Sequence, residues 1–379
     1  MCSGKIKMGR NYKMWRSVLK SLLVLAGTTV AVPYVIASVS SVLYGWGERK
    51  NKVRRTLSPF KVIAFSYTLL QMMQIKLKYI PLYIQWKRFY SLAKPSQVLK
   101  NLSYGRHEET LDLYLPETRK GNDNIPVVIF VSGGAWSMKN KEMYGLLCSE
   151  MANKLQVVVC CPNYSAYPKG YVDDMIQDVV DCLCWINENV GDYGGDKDQL
   201  MLIGHSSGAH LCIMAILELL HDDILNAEDL PISESVAPQI HFEESHYKRG
   251  LAGVYHIGDH YEHETSRGVE DVSCMARVMY GESHFDRFSP TRLCHSLSRG
   301  VRLPKIVLLH GTKDYVVPES SSVKFCDVLR DLYVDVALHI IPDCDHYEIC
   351  LDLMKSDRKF YQPVMGIILQ TAKSVLSDK

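Results

Sequence analysis

From about Pro95 to the carboxyl terminus, short apolar runs alternate with longer amphipathic ones, an order that few folds accommodate. Leu111–Leu115, Val127–Val131, Val157–Cys161, Leu200–Ile203, Leu251–Tyr255, Ile306–Leu309 and Val336–Ile341 read as strands. Glu142–Lys154, Tyr171–Val190, Ala209–Leu220, Ser320–Leu332 and Phe360–Leu376 read as helices between them. Right-handed crossovers through such an order build an α/β domain with a doubly wound, mostly parallel sheet. Asp222–Arg249 and His256–Gly300 do not alternate; as insertions at the carboxyl ends of strands, they are expected to cap a site there.

One turn in this series carries chemistry. Gly204-His205-Ser206-Ser207-Gly208 follows the apolar run Leu200–Ile203 and opens the helical stretch from Ala209. A serine on a sharp strand-to-helix turn has its hydroxyl pushed out over the sheet edge, and glycines remove the Cβ atoms that would clash. A hydroxyl is a weak nucleophile until a base takes its proton, and the base needs a carboxylate to orient it. On an elbow of this kind the acid and then the histidine follow in the loops after two late strands. Asp314 lies in the loop after Ile306–Leu309, and His346 in the loop after Val336–Ile341. His310, close before the acid, is read as a structural polar residue.

A tetrahedral intermediate needs preorganised N–H donors for its oxyanion. The residue after the nucleophile, Ser207, offers one at the start of a helix. The loop Ser132-Gly133-Gly134-Ala135-Trp136 after an early buried strand offers others, its paired glycines allowing close approach. Gly133, Gly134, Ala135, His205 and Ser207 are therefore the expected oxyanion and substrate-binding residues.

The remaining signals mostly exclude. The net charge of +1 leaves no nucleic-acid footprint. No H-E-x-x-H, P-loop or paired C-x-x-C occurs, so neither metal nor cofactor is expected. Tyr193-Gly194-Gly195-Asp196 precedes a strand and reads as a helix-ending turn. The 12 cysteines lack a disulfide framework, which suits a reducing compartment.

The amino-terminal part differs from the rest, dividing the chain into a basic, membrane-anchoring region over 1–94 and a catalytic domain over 95–379. Lys5, Lys7, Arg10, Lys13, Arg16 and Lys20 precede the uncharged run Ser21–Gly47, which is long enough to read as a membrane helix. Arg49, Lys50, Lys52, Arg54 and Arg55 follow it, so charge does not set its orientation. A second apolar segment over 62–86 reads either as a tilted or interfacial segment or as a packing helix. Asn101-Leu102-Ser103 is a glycosylation sequon, used only on a luminal face.

With these residues in place, the region from about Asn101 onward resembles the α/β-hydrolase superfamily, and within it the isoprenylcysteine α-carbonyl methylesterases. The resemblance rests on Gly133-Gly134-Ala135-Trp136, Pro162-Asn163-Tyr164 with Tyr167-Pro168, Tyr193-Gly194-Gly195-Asp196, Gly204 to His210, Phe288-Ser289-Pro290 and His310 to Asp314. Related lipases and esterases usually carry a histidine where Ser132 stands and often Asp-Tyr-Arg at Asn163-Tyr164-Ser165. The methylesterases tend to show Gln and Ala at His205 and Ser207. The resemblance implies a membrane enzyme of endoplasmic reticulum and Golgi that removes the methyl ester from prenylated carboxyl-terminal cysteines. Prenylated cysteine methyl esters or prenylated proteins would be its substrates, with the catalytic domain facing the cytosol. The same triad would also serve a kynurenine formamidase or a lipid or short-chain esterase, and a hydrolase fold used only for binding is a third reading.

Overall fold

The computed structural model describes residues 18–39 in part, 58–118, 124–138, 141–220, 247–297, 299 and 303–376. Contacts group the chain into two compact units, Met1–Leu77 with Glu264–Ser273, and Lys78–His263 with Cys274–Lys379. In chain order the elements are α1 (Pro59–Leu92), β1 (Val98–Tyr104), β2 (Glu109–Tyr114), β3 (Ile125–Val131), α2 (Gly145–Leu155), β4 (Val158–Pro162) and α3 (Val172–Asn189). Then come β5 (Gly195–His205), α4 (Ser207–Leu219), β6 (Tyr247–Leu251), α5 (Ile257–Ser266), α6 (Met275–Val278) and α7 (Pro290–His295). β7 (Lys305–Gly311), α8 (Ser320–Asp331), β8 (Val336–Ile341), α9 (Glu348–Leu351) and α10 (Tyr361–Leu376) complete the chain.

The strands form one eight-stranded sheet in the order β1-β2-β4-β3-β5-β6-β7-β8. β1, β2 and β4 pair antiparallel, and every pair from β4 to β8 is parallel. This is the α/β-hydrolase architecture. The parallel strands β3 and β4 are apolar along nearly their whole length because helices cover both faces of the sheet. α3 presents Met175, Val179, Leu183 and Ile186 to the core as one stripe, as its 3.6-residue period requires.

Two readings need correction. The expected strand Leu251–Tyr255 lies four residues earlier, at Tyr247–Leu251. Ala252 turns to φ 47°, which ends the strand, while Val254 and Tyr255 stay apolar because they are buried beyond the sheet. The edge strand β1 was not anticipated, since Lys100, Asn101 and Ser103 interrupt its apolar pattern.

The predicted span Ser21–Gly47 falls largely outside the described residues; those of it that are described are helical. The 62–86 segment lies within α1, which carries Lys61, Lys76, Lys78, Lys87 and Arg88. Among the described residues, no helix is long and apolar enough to cross a membrane. In the first unit, α1 buries Val62 and Phe65 against Tyr34, Leu69 and Val269. Lys61 pairs there with Glu270 at 3.0 Å and with Asp271.

Candidate active site

The register of the sheet decides which loops meet. β3 and β5 are neighbours, and Val131 sits opposite Gly204, so the glycine loop and the serine turn leave the sheet side by side. β7 and β8 end together, Gly311 opposite Ile341, which brings the loops bearing Asp314 and His346 to the same edge.

Ser206 stands between β5 and α4 with φ 53° and ψ −123°, a conformation an L-residue adopts only when its surroundings enforce it. Those surroundings are visible. Its N–H donates to the Leu251 carbonyl at 2.9 Å, and its own carbonyl accepts from Ala209 and His210 at 3.0 and 3.2 Å. Both motif glycines are sterically required: a Cβ at Gly204 would lie 2.5 Å from the Ala209 Cα, and one at Gly208 would lie 2.2 Å from the Val131 carbonyl oxygen.

The three residues singled out for acyl transfer are brought together. His346 Nε2 lies 3.0 Å from Ser206 Oγ, and His346 Nδ1 lies 2.7 Å from Asp314 Oδ2. All three are buried. Because the carboxylate only accepts, Nδ1 carries the proton and Nε2 presents its lone pair to the serine hydroxyl. The other carboxylate oxygen, Asp314 Oδ1, accepts from the N–H groups of Val316 and Val317 at 2.9 and 2.8 Å. Burial by itself would push this carboxyl up, but the imidazoles of His346 and His310 outweigh it and hold Asp314 well below the usual carboxylate range. His310 is tied by Nε2 to the Val317 carbonyl at 2.9 Å and by Nδ1 to Ser322 at 2.7 Å, with Asp314 Oδ2 3.3 Å away. It buttresses the acid and does not reach the serine's base.

The glycine loop is held from several elements. Tyr164 donates its hydroxyl to the Ser132 carbonyl at 3.0 Å, Tyr144 to that of Gly133 at 3.3 Å, and the Cys274 thiol to that of Ala135 at 3.0 Å. Gly134 O accepts from Ser137 and Met138 N–H at 3.0 and 3.1 Å. Ala135 and Trp136 adopt φ 48° and 56°. The Trp136 indole donates to His210 Nδ1 at 3.3 Å, and His210 Nε2 donates to the Phe288 carbonyl at 2.8 Å. His210 thus links the glycine loop, the serine helix and the segment at Phe288.

One expected donor is placed differently. The Gly134 N–H is bonded to Ser207 Oγ at 2.9 Å, so it faces the serine helix and not an incoming oxyanion. Among the described residues, no hydrogen bond engages the N–H of Gly133, Ala135 or Ser207. His205 is not at the mouth of the site either. It is buried, with Nε2 2.9 Å from the His346 carbonyl oxygen and Nδ1 without a partner. Burial, reinforced by the neighbouring His346, pushes its pKa down to about 3, so its imidazole is neutral. Tyr144, Tyr164 and Cys274 escaped the sequence reading because a buried residue bonded to a carbonyl leaves no local pattern. Among the described residues no group of three or more His, Cys, Asp or Glu is arranged to hold a metal ion, and the described cysteines are free thiols.

A family profile described as BD-FAE matches residues 111–329. A probable isoprenylcysteine alpha-carbonyl methylesterase of Oryza sativa subsp. japonica is 31% identical over 350 residues, covering 86% of this chain and 80% of its own. Four more proteins of that description, from rice and Arabidopsis thaliana, are 30–33% identical, and the match covers 58–66% of their length. A kynurenine formamidase of Salmo salar is 28% identical over 72% of this chain and 83% of its own. Among solved structures, esterase B from Lactobacillus rhamnosis superposes with a TM-score of 0.59 at 17% identity, covering 82% of this chain and 97% of that one. At that identity the likeness establishes the fold.

Proposed function

The chain belongs to the BD-FAE family of α/β-hydrolases and to the isoprenylcysteine alpha-carbonyl methylesterases within it, enzymes that hydrolyse esters; from that premise we propose that Ser206, His346 and Asp314 are its catalytic triad and that it demethylates prenylated carboxyl-terminal cysteines. The observation that carries this reading is the unbroken chain from Asp314 through His346 to a serine held in a strained elbow.

Ser206 Oγ attacks the ester carbonyl carbon while its proton passes to His346 Nε2, and Asp314 stabilises the imidazolium that forms. The oxyanion meets the N–H of Ser207 at the start of α4 together with those of Gly133 and Ala135, donors each worth about 3 kcal/mol in such sites. The intermediate collapses, the C–O bond to the methoxy group breaks, and the leaving oxygen takes the proton from His346 Nε2 to depart as methanol. Water then adds to the acyl-enzyme, giving a proton to His346, and the second collapse returns that proton to Ser206 and releases the carboxylic acid.

Prenylcysteine substrates sit at membranes, and an enzyme tethered beside them works at a high effective concentration. The uncharged run Ser21–Gly47 supports such a tether. On this reading the enzyme resides at endoplasmic reticulum and Golgi membranes with its catalytic domain in the cytosol. A glycan on Asn101 in cells would refute that orientation.

The formamidase relative favours a second reading, hydrolysis of an N-formyl aryl amine by the same triad. Measuring kcat/KM for a farnesylcysteine methyl ester, N-formylkynurenine and p-nitrophenyl acetate on one preparation separates the two. The methylesterase reading expects the prenylated ester to exceed the others by at least about tenfold, a modest discrimination where a long apolar tail is recognised. Preference for N-formylkynurenine would establish the alternative, and no labelling of Ser206 by a fluorophosphonate would leave only a binding module.

A further inference from the structure

His205 is a buried histidine that the triad does not use. Its Nε2 lies 2.9 Å from the main-chain carbonyl oxygen of His346, which only accepts, so Nε2 carries the proton and donates it. The other ring nitrogen, Nδ1, is buried without a hydrogen-bond partner and abuts Gly133, where a Cβ would come within 3.0 Å of it. The two imidazoles lie with ring centroids 5.0 Å apart and planes tilted by 38°. An orphaned acceptor is unfavourable, and a residue serving only to fill space at the end of β5 would do so better as an apolar side chain.

We propose that His205 is a positioning residue for the catalytic base. It is covalently adjacent to Ser206 and hydrogen-bonded to the backbone of His346, so one rigid side chain sets the distance between the nucleophile's strand and the base's loop. Asp314 orients the His346 ring about its Nδ1; His205 places the backbone from which that ring projects. Other bonds hold the loop at its flanks, Asp343 N–H to Thr312 Oγ1 at 2.9 Å and the Cys344 carbonyl to Lys313 N–H at 3.0 Å, but the His205 bond is the one at the His346 carbonyl itself, and its loss lets Nε2 shift from Ser206 Oγ. Misplacement of a reacting group by about 1 Å lowers rates on the order of 100-fold.

The inference rests on the triad assigned above, and the test separates the two. His205→Gln keeps an N–H donor of similar reach; His205→Met has the same length and no donor. Initial rates on p-nitrophenyl acetate and fluorophosphonate labelling of Ser206 are measured on the full chain, normalised to the fraction that is folded by thermal melting. The expected result is a 10- to 100-fold lower kcat and labelling rate for His205→Met with KM within about twofold, and recovery to within about threefold of wild type in His205→Gln. Wild-type rates in His205→Met, or equal losses in both variants, overturn the positioning role while leaving the triad standing. If His205→Met does not fold, His205→Gln against His205→Leu supplies the same contrast. Failure of the unmodified protein to label at all would strike the triad itself.

Discussion

Asp112 and Asp314, two of the carboxylates buried in the catalytic unit, lie toward opposite ends of one sheet, and the protein neutralises them differently. Asp112, on β2, is fully buried and faces a lysine: Lys141 Nζ lies 2.5 Å and the Asn101 N–H 2.8 Å from Oδ1, and the Tyr90 hydroxyl lies 2.8 Å from Oδ2. Asp314, after β7, faces two imidazoles and two backbone N–H groups instead. A Lys–Asp pair is complete at rest and changes nothing during a reaction. A carboxylate beside a histidine gains its full counter-charge only when the imidazole is protonated, which in acyl transfer is the transition state. The first arrangement is suited to holding the β1–β2 edge, the second to storing stabilisation for the moment of reaction.

The contrast predicts opposite phenotypes. Ser206→Ala and Asp314→Asn should each lower kcat by about 10⁴-fold or more with melting temperature almost unchanged, checked by ester hydrolysis and calorimetry. If Asp314→Asn unfolds the protein but spares the folded fraction's kcat, the two carboxylates are alike and the distinction fails.

Lys141→Met should do the reverse. It leaves the Asp112 charge buried without its cation, a change that costs about 3–5 kcal/mol of stability, while kcat per folded molecule stays within about twofold. Denaturant titration beside active-site titration measures both. Combining it with Asp112→Leu should recover much of the lost stability, because an apolar pair of similar volume replaces the ion pair.

Another buried carboxyl, Glu264 in the other unit, sharpens the comparison because there the effect of burial is not outweighed. Burial pushes its pKa up to about 7, against Ser273 and Arg267, which lower it. A carboxyl raised in the folded state binds a proton that the unfolded chain releases, so its contribution to stability is greatest below about pH 4 and declines as pH rises to about 7. The decline should reach about 3 kcal/mol, and Glu264→Gln should abolish it, as urea titrations at pH 4.5 and 8 would reveal. Asp314 has the opposite sign. Its lowered pKa contributes stability that is complete above about pH 4 and is lost as acid titrates the folded carboxylate.

The smallest effect concerns the glycine loop. Ser207→Ala removes the acceptor of the Gly134 N–H but keeps the backbone donor of residue 207, so kcat should fall by about 3- to 10-fold. An increase in kcat would mean that the freed Gly134 N–H joins the oxyanion donors.

Strands at the sheet centre and the loops carrying Ser206, Asp314 and His346 were legible because each is a local pattern: an apolar run, then a turn, then a polar residue of the needed type. The edge strand β1 was not, since its outer side has no neighbour to demand apolar residues. Nor was the start of β6, where apolar side chains beyond the strand's end mimicked the strand itself. His205 and Gly134 were assigned to the right place and the wrong partner, one facing the base's backbone and the other the Ser207 hydroxyl.

By itself, then, the sequence determined the α/β alternation, the serine elbow and the order of its partners, because periodicity, glycine sterics and loop position act over a few residues at a time. Only the tertiary structure decided which backbone donors face the site and which partners His205, His210 and His310 meet. Those choices depend on distances between loops from β3, β5, β7 and β8, and such distances exist only once the strands have been laid side by side.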